Sequence, residues 1–297
     1  MIESVEVQNF RCLKSVQVAL RPLTVLVGPN DSGKTTFLEA LLCGLGAKPL
    51  ASEDSGRDGE APGVVAYGHR NARIRTSAAL IRLPSEGVPM KSTGVVDPTN
   101  AAAPNLEPAG TSLATLMDYL LRRDRKRFET IQATLRDLVP GFEEIRISVP
   151  EPAERWLSWL IDGGLEIPGE RLSTGARIMF FFVALAHHPS PPDVLLIEEP
   201  ENGVHPRRLR EVVELLRTLS QGKAGTAKQV ILTTHSPYLL DQIRLPEDQV
   251  IVFQRQDDGS RTAREVDSAG LKSFLDEFML GEVWFNQGEE GLLAKAR

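Results

Sequence analysis

Gly28-Pro-Asn-Asp-Ser-Gly33-Lys34-Thr35-Thr36 follows directly on the apolar run Leu23-Thr-Val-Leu-Val27. A buried strand that delivers the chain into a glycine-rich turn and then a helix aims several backbone N–H groups at one point, and the helix dipole favours an anion there. The stretch is a complete G-x-x-x-x-G-K-[ST] phosphate loop in the required order of strand, loop and helix. Gly28 and Gly33 let the backbone come close to phosphate without an intervening Cβ. Lys34 is expected to reach the β- and γ-phosphates of a nucleotide, and the Thr35 hydroxyl to ligate the bridging Mg²⁺.

Around this loop the chain has ordinary globular composition, 297 residues with 41% hydrophobic and 25% charged content. No stretch approaches the roughly 20 uncharged apolar residues of a spanning helix. Met1-Ile-Glu-Ser-Val-Glu lacks the basic and apolar regions of a signal peptide, so a cytoplasmic protein with no membrane partner is expected. Cys12 and Cys43 have no metal-type spacing and are expected to be reduced core residues. The net charge of −6 argues against a general attraction to nucleic acid, but 25 of the 34 basic residues are arginine. They gather at Arg122, Arg123, Arg125, Lys126 and Arg127, at Arg70/Arg73/Arg75, and at Arg207/Arg208/Arg210. The first run exceeds what Asp124 and Glu129 can neutralise on one helix, which makes it a candidate contact for a nucleic-acid backbone or an acidic partner; a solvated helix face is the alternative.

Alternation predicts half-buried strands at 2–7 and 16–20 before the apolar strand 23–27, then a helix over 33–45. Residues 48–63 read as a surface loop, 73–83 as a strand and 84–110 as a long irregular connection. Helical periodicity covers 111–123 and 128–138 and stops at Pro140-Gly141. Short strands are expected at 144–149 and 155–161, and a helix opens at Ser173. The strand 193–198, helix 206–219 and strand 229–233 then give the α/β alternation of a largely parallel sheet. A strand pair from 249 and a helix near 271–278 close the pattern. The expected organisation is a single α/β domain over 1–297, with 84–140 a loop and helical insertion.

Four further segments narrow the class. Val194-Leu-Leu-Ile-Glu198-Glu199-Pro200 is an apolar strand ending in two carboxylates, the form of a Walker B element; Glu198 is placed to hold the Mg²⁺ shell and Glu199 to polarise attacking water. Leu172-Ser173-Thr-Gly175-Ala-Arg177 puts a serine N-cap and open backbone N–H groups before a long helix, suited to a phosphate brought from outside; a plain N-cap is the alternative. Pro200-Glu-Asn-Gly-Val-His205-Pro206 follows the carboxylates. Ile231-Leu-Thr-Thr-His235-Ser236-Pro237 ends the next strand with a histidine able to bond a γ-phosphate or the attacking water.

With the opening Val7-Gln-Asn-Phe10-Arg11-Cys-Leu13, this set resembles an ABC-type (AAA family) P-loop ATPase head of the branch containing RecF, the chromosome-maintenance proteins and the overcoming-lysogenization-defect nucleases. The resemblance covers nearly the whole chain. It implies a mostly parallel core sheet with antiparallel N-terminal strands, ATP and Mg²⁺ as cofactors, and Mg²⁺-dependent hydrolysis. It places Phe10 and Arg11 beside the nucleotide and wraps Asn30, Asp31, Ser32, Gly33, Lys34, Thr35 and Thr36 around its phosphates, with Gly28 at the loop's start. Thr35 and Glu198 become the metal residues, Glu199 the catalytic carboxylate and His235 the switch histidine. Ser173, Gly175 and Arg177 face the γ-phosphate of a second protomer, so a homodimer with sandwiched ATP is implied.

The pattern departs from the family at three places: Glu198 stands where aspartate is usual, no glutamine occurs between Thr36 and Arg127, and the signature is Leu-Ser-Thr-Gly-Ala-Arg. The 111–139 insertion is too short for a long coiled coil, and the segment after His235 too short for an appended nuclease domain. The expected role is an ATP-driven switch in a nucleic-acid-associated complex, in anti-phage defence or DNA repair, with a nuclease or toxin effector on a separate chain. A transporter subunit would carry the missing glutamine. An ATP-gated clamp with little hydrolysis is the other alternative, raised by Glu198.

Overall fold

The computed structural model describes residues 1–56, 61–93, 102–107, 109–222, 227–271 and 275–293. In chain order the elements are β1 (Ser4–Phe10), β2 (Leu13–Ala19), β3 (Leu23–Val27), α1 (Lys34–Leu45), β4 (Gly63–Tyr67), β5 (Ala78–Arg82), β6 (Lys91–Thr93), α2 (Leu113–Arg123) and α3 (Arg125–Leu138). They continue with β7 (Phe142–Ser148), β8 (Glu154–Ile161), β9 (Leu165–Pro168), α4 (Thr174–Ala186), β10 (Val194–Glu198), α5 (Leu209–Ser220), β11 (Gln229–Thr233), α6 (Pro237–Leu240), β12 (Gln249–Arg255), β13 (Arg261–Glu265) and α7 (Leu280–Leu293). The chain gathers into two compact units, the first made of 1–80, 192–201 and 216–297, the second of 81–191 and 202–215.

In the first unit β3, all five residues buried, lies parallel to β11 on one side and β12 on the other, and β11 lies parallel to β10. The six-stranded order is β13-β12-β3-β11-β10-β5, with β13 antiparallel to β12. A separate antiparallel sheet, β2-β1-β4, carries the first strands. The helix α1 packs between the two sheets, and its buried Phe37, Leu38, Leu41 and Leu45 join Val5, Val7, Leu26, Ile231, Ile251 and Phe253 in one core. An α/β core with mainly parallel central strands and antiparallel N-terminal strands is therefore observed as expected.

In the second unit, β6, β8 and β7 pair in that order with β9 added to β8. Helices α2 and α3 pack on this sheet and α4 on α3. The α4 stretch Ile178–Ala186 is entirely buried, and its Phe180 meets Trp159, which in turn stacks edge-on with Phe142.

Several expectations change here. The basic run does not occupy one helix: Asp124 ends α2 and caps α3, its side chain accepting the Arg127 N–H at 3.1 Å. Nor is it left without carboxylates. Arg122 pairs with the buried Asp118 at 2.7 Å, Arg125 with Glu129 at 3.4 Å and Arg127 with Asp124 at 3.0 Å. Asp118 was overlooked because it sits one helical turn before Arg122 among apolar residues, where it also holds Arg155 at 2.7 Å. The strand expected over 73–83 is confined to β5, and the helix expected from Pro206 begins as a single 3₁₀ turn, Pro206–Arg208. The helix expected near 271–278 falls partly outside the described residues; α7 follows it, beginning at Leu280. Among the described residues no helix is long and apolar enough to cross a membrane.

Candidate nucleotide cleft

The central strands of the first unit all end at one edge, and the loops leaving them enclose a cleft of about 710 Å³ lined by Asn30, Asp31, Gly33, Lys34, Thr35 and Thr36 together with Glu199 and His235. The loop reaches this place because Gly28 adopts φ +143°, where a Cβ would lie 2.2 Å from the Phe253 carbonyl oxygen of β12. Gly33, at φ +102°, starts α1 with no side-chain cap, so the first-turn N–H groups are left for a ligand.

Lys34 is 6% exposed. Its Nζ donates to the carbonyls of Gly28 at 2.8 Å and Pro29 at 2.9 Å, and no carboxylate bonds it among the described residues. Burial lowers its pKa from 10.5 to about 8, against the opposing field of Glu199. A lysine so depressed binds fewer protons folded than unfolded between about 8 and 10.5, so the stability of the nucleotide-free protein contributed by this group rises with pH across that window. Phosphate beside the ammonium restores its charge. Nucleotide binding is therefore expected to take up protons above pH 8 and to weaken as pH rises; calorimetric titration at pH 9 in buffers of differing ionisation enthalpy measures this, and zero proton uptake would remove Lys34 from the phosphates.

Glu199 leaves β10 with φ +43°, a left-handed conformation rare for a side chain of this kind. Its N–H is fixed by the Thr233 carbonyl and hydroxyl, both at 3.2 Å. The turn sends the carboxylate into the cleft, 3.6 Å from His235 Nε2. His235 has its pKa lowered by burial and by the nearby Lys34 charge, which favours the neutral imidazole. Glu198 belongs to β10 and is not among the residues lining the cleft.

Glu201 was quoted in the sequence without a role. Its Oε1 accepts the Thr234 hydroxyl at 2.7 Å and the His235 N–H at 2.8 Å, while Oε2 is buried with no partner. Burial raises its pKa, so one carboxyl ties the end of β10 to the turn that carries His235. Cys12, Arg255 and Arg261 also line the cleft.

Phe10 is fully buried in the core. Arg11, at φ +50°, bonds Asp54 at 2.8 Å and Glu39, and neither Phe10 nor Arg11 is among the lining residues. Ser32 is buried, with Oγ 3.5 Å from Lys34 Nζ. The residues Ser173, Gly175 and Arg177 lie in the second unit. Ser173 Oγ accepts the Ala176 N–H at 3.2 Å, and a Cβ on Gly175 would meet the Gly203 carbonyl at 3.2 Å. Arg177 donates to the carbonyls of Glu86 and, at 3.4 Å, Val88.

The donor set fits a nucleotide with a hard cation. Lys34 is a buried cation whose partners are two carbonyls and a hydroxyl, all neutral, beside open helix N–H groups. Among the described residues no group of three or more His, Cys, Asp or Glu side chains could hold a metal alone; Mg²⁺ bound with a nucleotide is carried largely by phosphate oxygens and water, with one or two protein oxygens.

Two families match the sequence: one described as "AAA ATPase domain" over residues 1–54, and one described as "AAA domain, putative AbiEii toxin, Type IV TA system" over residues 95–241. The chain is 23% identical to an OLD nuclease of Thermus scotoductus over 379 aligned positions, spanning 99% of this chain and 70% of that protein. It is 43% identical to a DNA double-strand break repair Rad50 ATPase of Methanopyrus kandleri over 67 residues, 22% of this chain and 8% of that protein. An Smc head bound to the C-terminal winged-helix domain of ScpA shares the fold, with a TM-score of 0.59, 16% identity and coverage of 90% of this chain and 98% of that one.

Proposed function

Because the chain belongs to the AAA-family ATPases, related to OLD nuclease and Rad50, we propose that it hydrolyses ATP in the cleft of the first unit and uses the nucleotide state to switch association between two copies of itself. The observation that carries this reading is the convergence of Lys34, Thr35, Glu199 and His235 on one cleft. Lys34 exchanges its carbonyl partners for the β- and γ-phosphates. Mg²⁺, when bound, neutralises the developing phosphate charge; the Thr35 hydroxyl and Glu198 are the residues proposed to hold it, Glu198 through water. Glu199 orients and polarises the attacking water, and neutral His235 bonds that water or the γ-phosphate, its position fixed by Glu201.

The two units are read as parts of one ATPase head. Ser173 and Gly175, at the start of α4, are proposed to meet the γ-phosphate bound by a second protomer, an isologous closure in which each copy supplies its helix start to the other. Arg177 is proposed to hold the 84–88 segment through its two terminal nitrogens, which donate to the Glu86 and Val88 carbonyls. Ser173→Arg is expected to block dimerisation while ATP still binds the monomer. Light scattering of Glu199→Gln with saturating ATP supplies the reference dimer; a strictly monomeric result there would remove the sandwich.

The switch is proposed to act in a nucleic-acid-associated complex, in defence or DNA repair, with a nuclease or toxin effector outside residues 1–297. What supports this is the description of the relatives as a nuclease and a break-repair ATPase. Arg122, Arg123, Arg125, Lys126 and Arg127 are the proposed contact, weaker than their number implies because Asp118, Asp124 and Glu129 offset part of the charge. Steady-state ATPase activity with and without DNA tests the association: DNA that leaves turnover and its salt dependence untouched would sever the link.

A further inference from the structure

One wall of the cleft is supplied neither by the phosphate loop nor by the strand-end carboxylates. Arg255 ends β12 and Arg261 begins β13; they face each other as cross-strand partners, and both line the cleft. Arg261 is 5% exposed. Its Nε donates to the Asp31 carbonyl of the phosphate loop at 3.1 Å and its Nη1 to the Gly259 carbonyl, and no carboxylate pairs with it among the described residues. A guanidinium taken out of water recovers little of its hydration from carbonyls and is stabilised chiefly by a counter-charge. Lys34, also nearly buried and with no carboxylate bonded to it among the described residues, lines the same cleft. Two nearly buried cations with no carboxylate bonded to either among the described residues, lining one cleft, call for an anion that bridges them. The hairpin is also in backbone contact with the loop, since a Cβ on Gly28 would strike the Phe253 carbonyl and one on Gly33 would lie 3.4 Å from Arg261 Cγ.

We propose that Arg255 and Arg261 form a second phosphate-binding element, in which their planar, bidentate forks take the polyphosphate of the nucleotide together with Lys34. Arg261 holds the loop at Asp31 as well, so phosphate occupancy and loop shape are coupled through one side chain. The proposal rests on the cleft being the nucleotide site, and the experiment separates the two.

A fluorescent ATP analogue is titrated into the full chain and into Arg255→Ala, Arg261→Lys and Lys34→Ala, with inorganic triphosphate as competitor and melting temperature read with and without ATP. Arg255→Ala changes an exposed side chain and is expected to melt as wild type without ligand. Its affinity for the analogue and for inorganic triphosphate should fall about 10-fold, the loss of one hydrogen-bonded ionic contact. Arg261→Lys keeps the charge but not the fork, and should shrink the ATP-induced rise in melting temperature; if it fails to fold, Arg255→Ala decides. Wild-type affinity for both ligands in Arg255→Ala, alongside lost binding in Lys34→Ala, would reduce the hairpin to a brace and overturn the proposal. Wild-type affinity in Lys34→Ala would instead overturn the nucleotide cleft, and the proposal with it.

Discussion

With glutamine in place of Glu199, steady-state ATP turnover falls by about 10²-fold or more, the usual scale for loss of a positioned base, while nucleotide affinity holds. The side chain keeps its size and its amide can still bond His235, 3.6 Å away in the native pair, but the oxygen that would draw a proton from water is gone. Backbone geometry protects the comparison. The φ of +43° is set by the bonds from the Glu199 N–H to Thr233 and is indifferent to the side-chain terminus. Single-turnover hydrolysis with a labelled γ-phosphate measures the effect directly. Retained wild-type turnover would transfer the role to another carboxylate, with Glu198 the first candidate.

Lys34→Ala acts earlier and more broadly, removing nucleotide binding itself. An ionic hydrogen bond contributes on the order of 1.5–3 kcal/mol, so losing bonds to two phosphates weakens affinity by about 10²-fold or more. The nucleotide-free protein should not lose comparable stability, because the ammonium is held below its ordinary pKa by burial and its removal also removes that desolvation cost. Titration of a fluorescent nucleotide, paired with a melting curve without ligand, distinguishes a lost site from a lost fold. Unchanged affinity would mean that the carbonyls of Gly28 and Pro29 are the permanent partners of Nζ, and that the loop binds no phosphate.

The parts of this architecture legible in the sequence are those with short-range signals. The run Leu23–Val27 is apolar except for Thr24 because β3 is buried along its whole length, and the middles of β10 and β11 read the same way for the same reason. Glu199 and His235, which the structure brings to one cleft, are legible because each follows such a run. The elements that escaped are short and half-exposed. β6 has three residues and β9 has the exposed Leu165 and Glu166, so neither shows a burial period, and each exists because β8 offers a partner. Arg255 and Arg261 escaped for a different reason. They come together across a hairpin whose turn, Gln256-Asp-Asp-Gly-Ser, reads as an ordinary polar loop, and their nearness to Asp31 arises from the parallel pairing of β12 with β3, a contact that no local pattern encodes. Glu201 lay inside a quoted motif, yet its bond to His235 spans 34 positions of sequence.

That parallel pairing also fixes when the cleft can come into being as the chain emerges from the ribosome. The phosphate-loop strand is complete by residue 27, but its two neighbours are residues 229–233 and 249–255. In between, the chain leaves the first unit twice, supplies the whole of the second, and returns twice. A chain synthesised as far as residue 200 thus holds the loop, Ser173, Glu198 and Glu199 while β3 still lacks a partner on either side. Contacts of such long sequence separation form slowly because loop closure precedes any reward from pairing. ATP is consequently a ligand only of the late-folded chain, and its binding reports that the central sheet has closed.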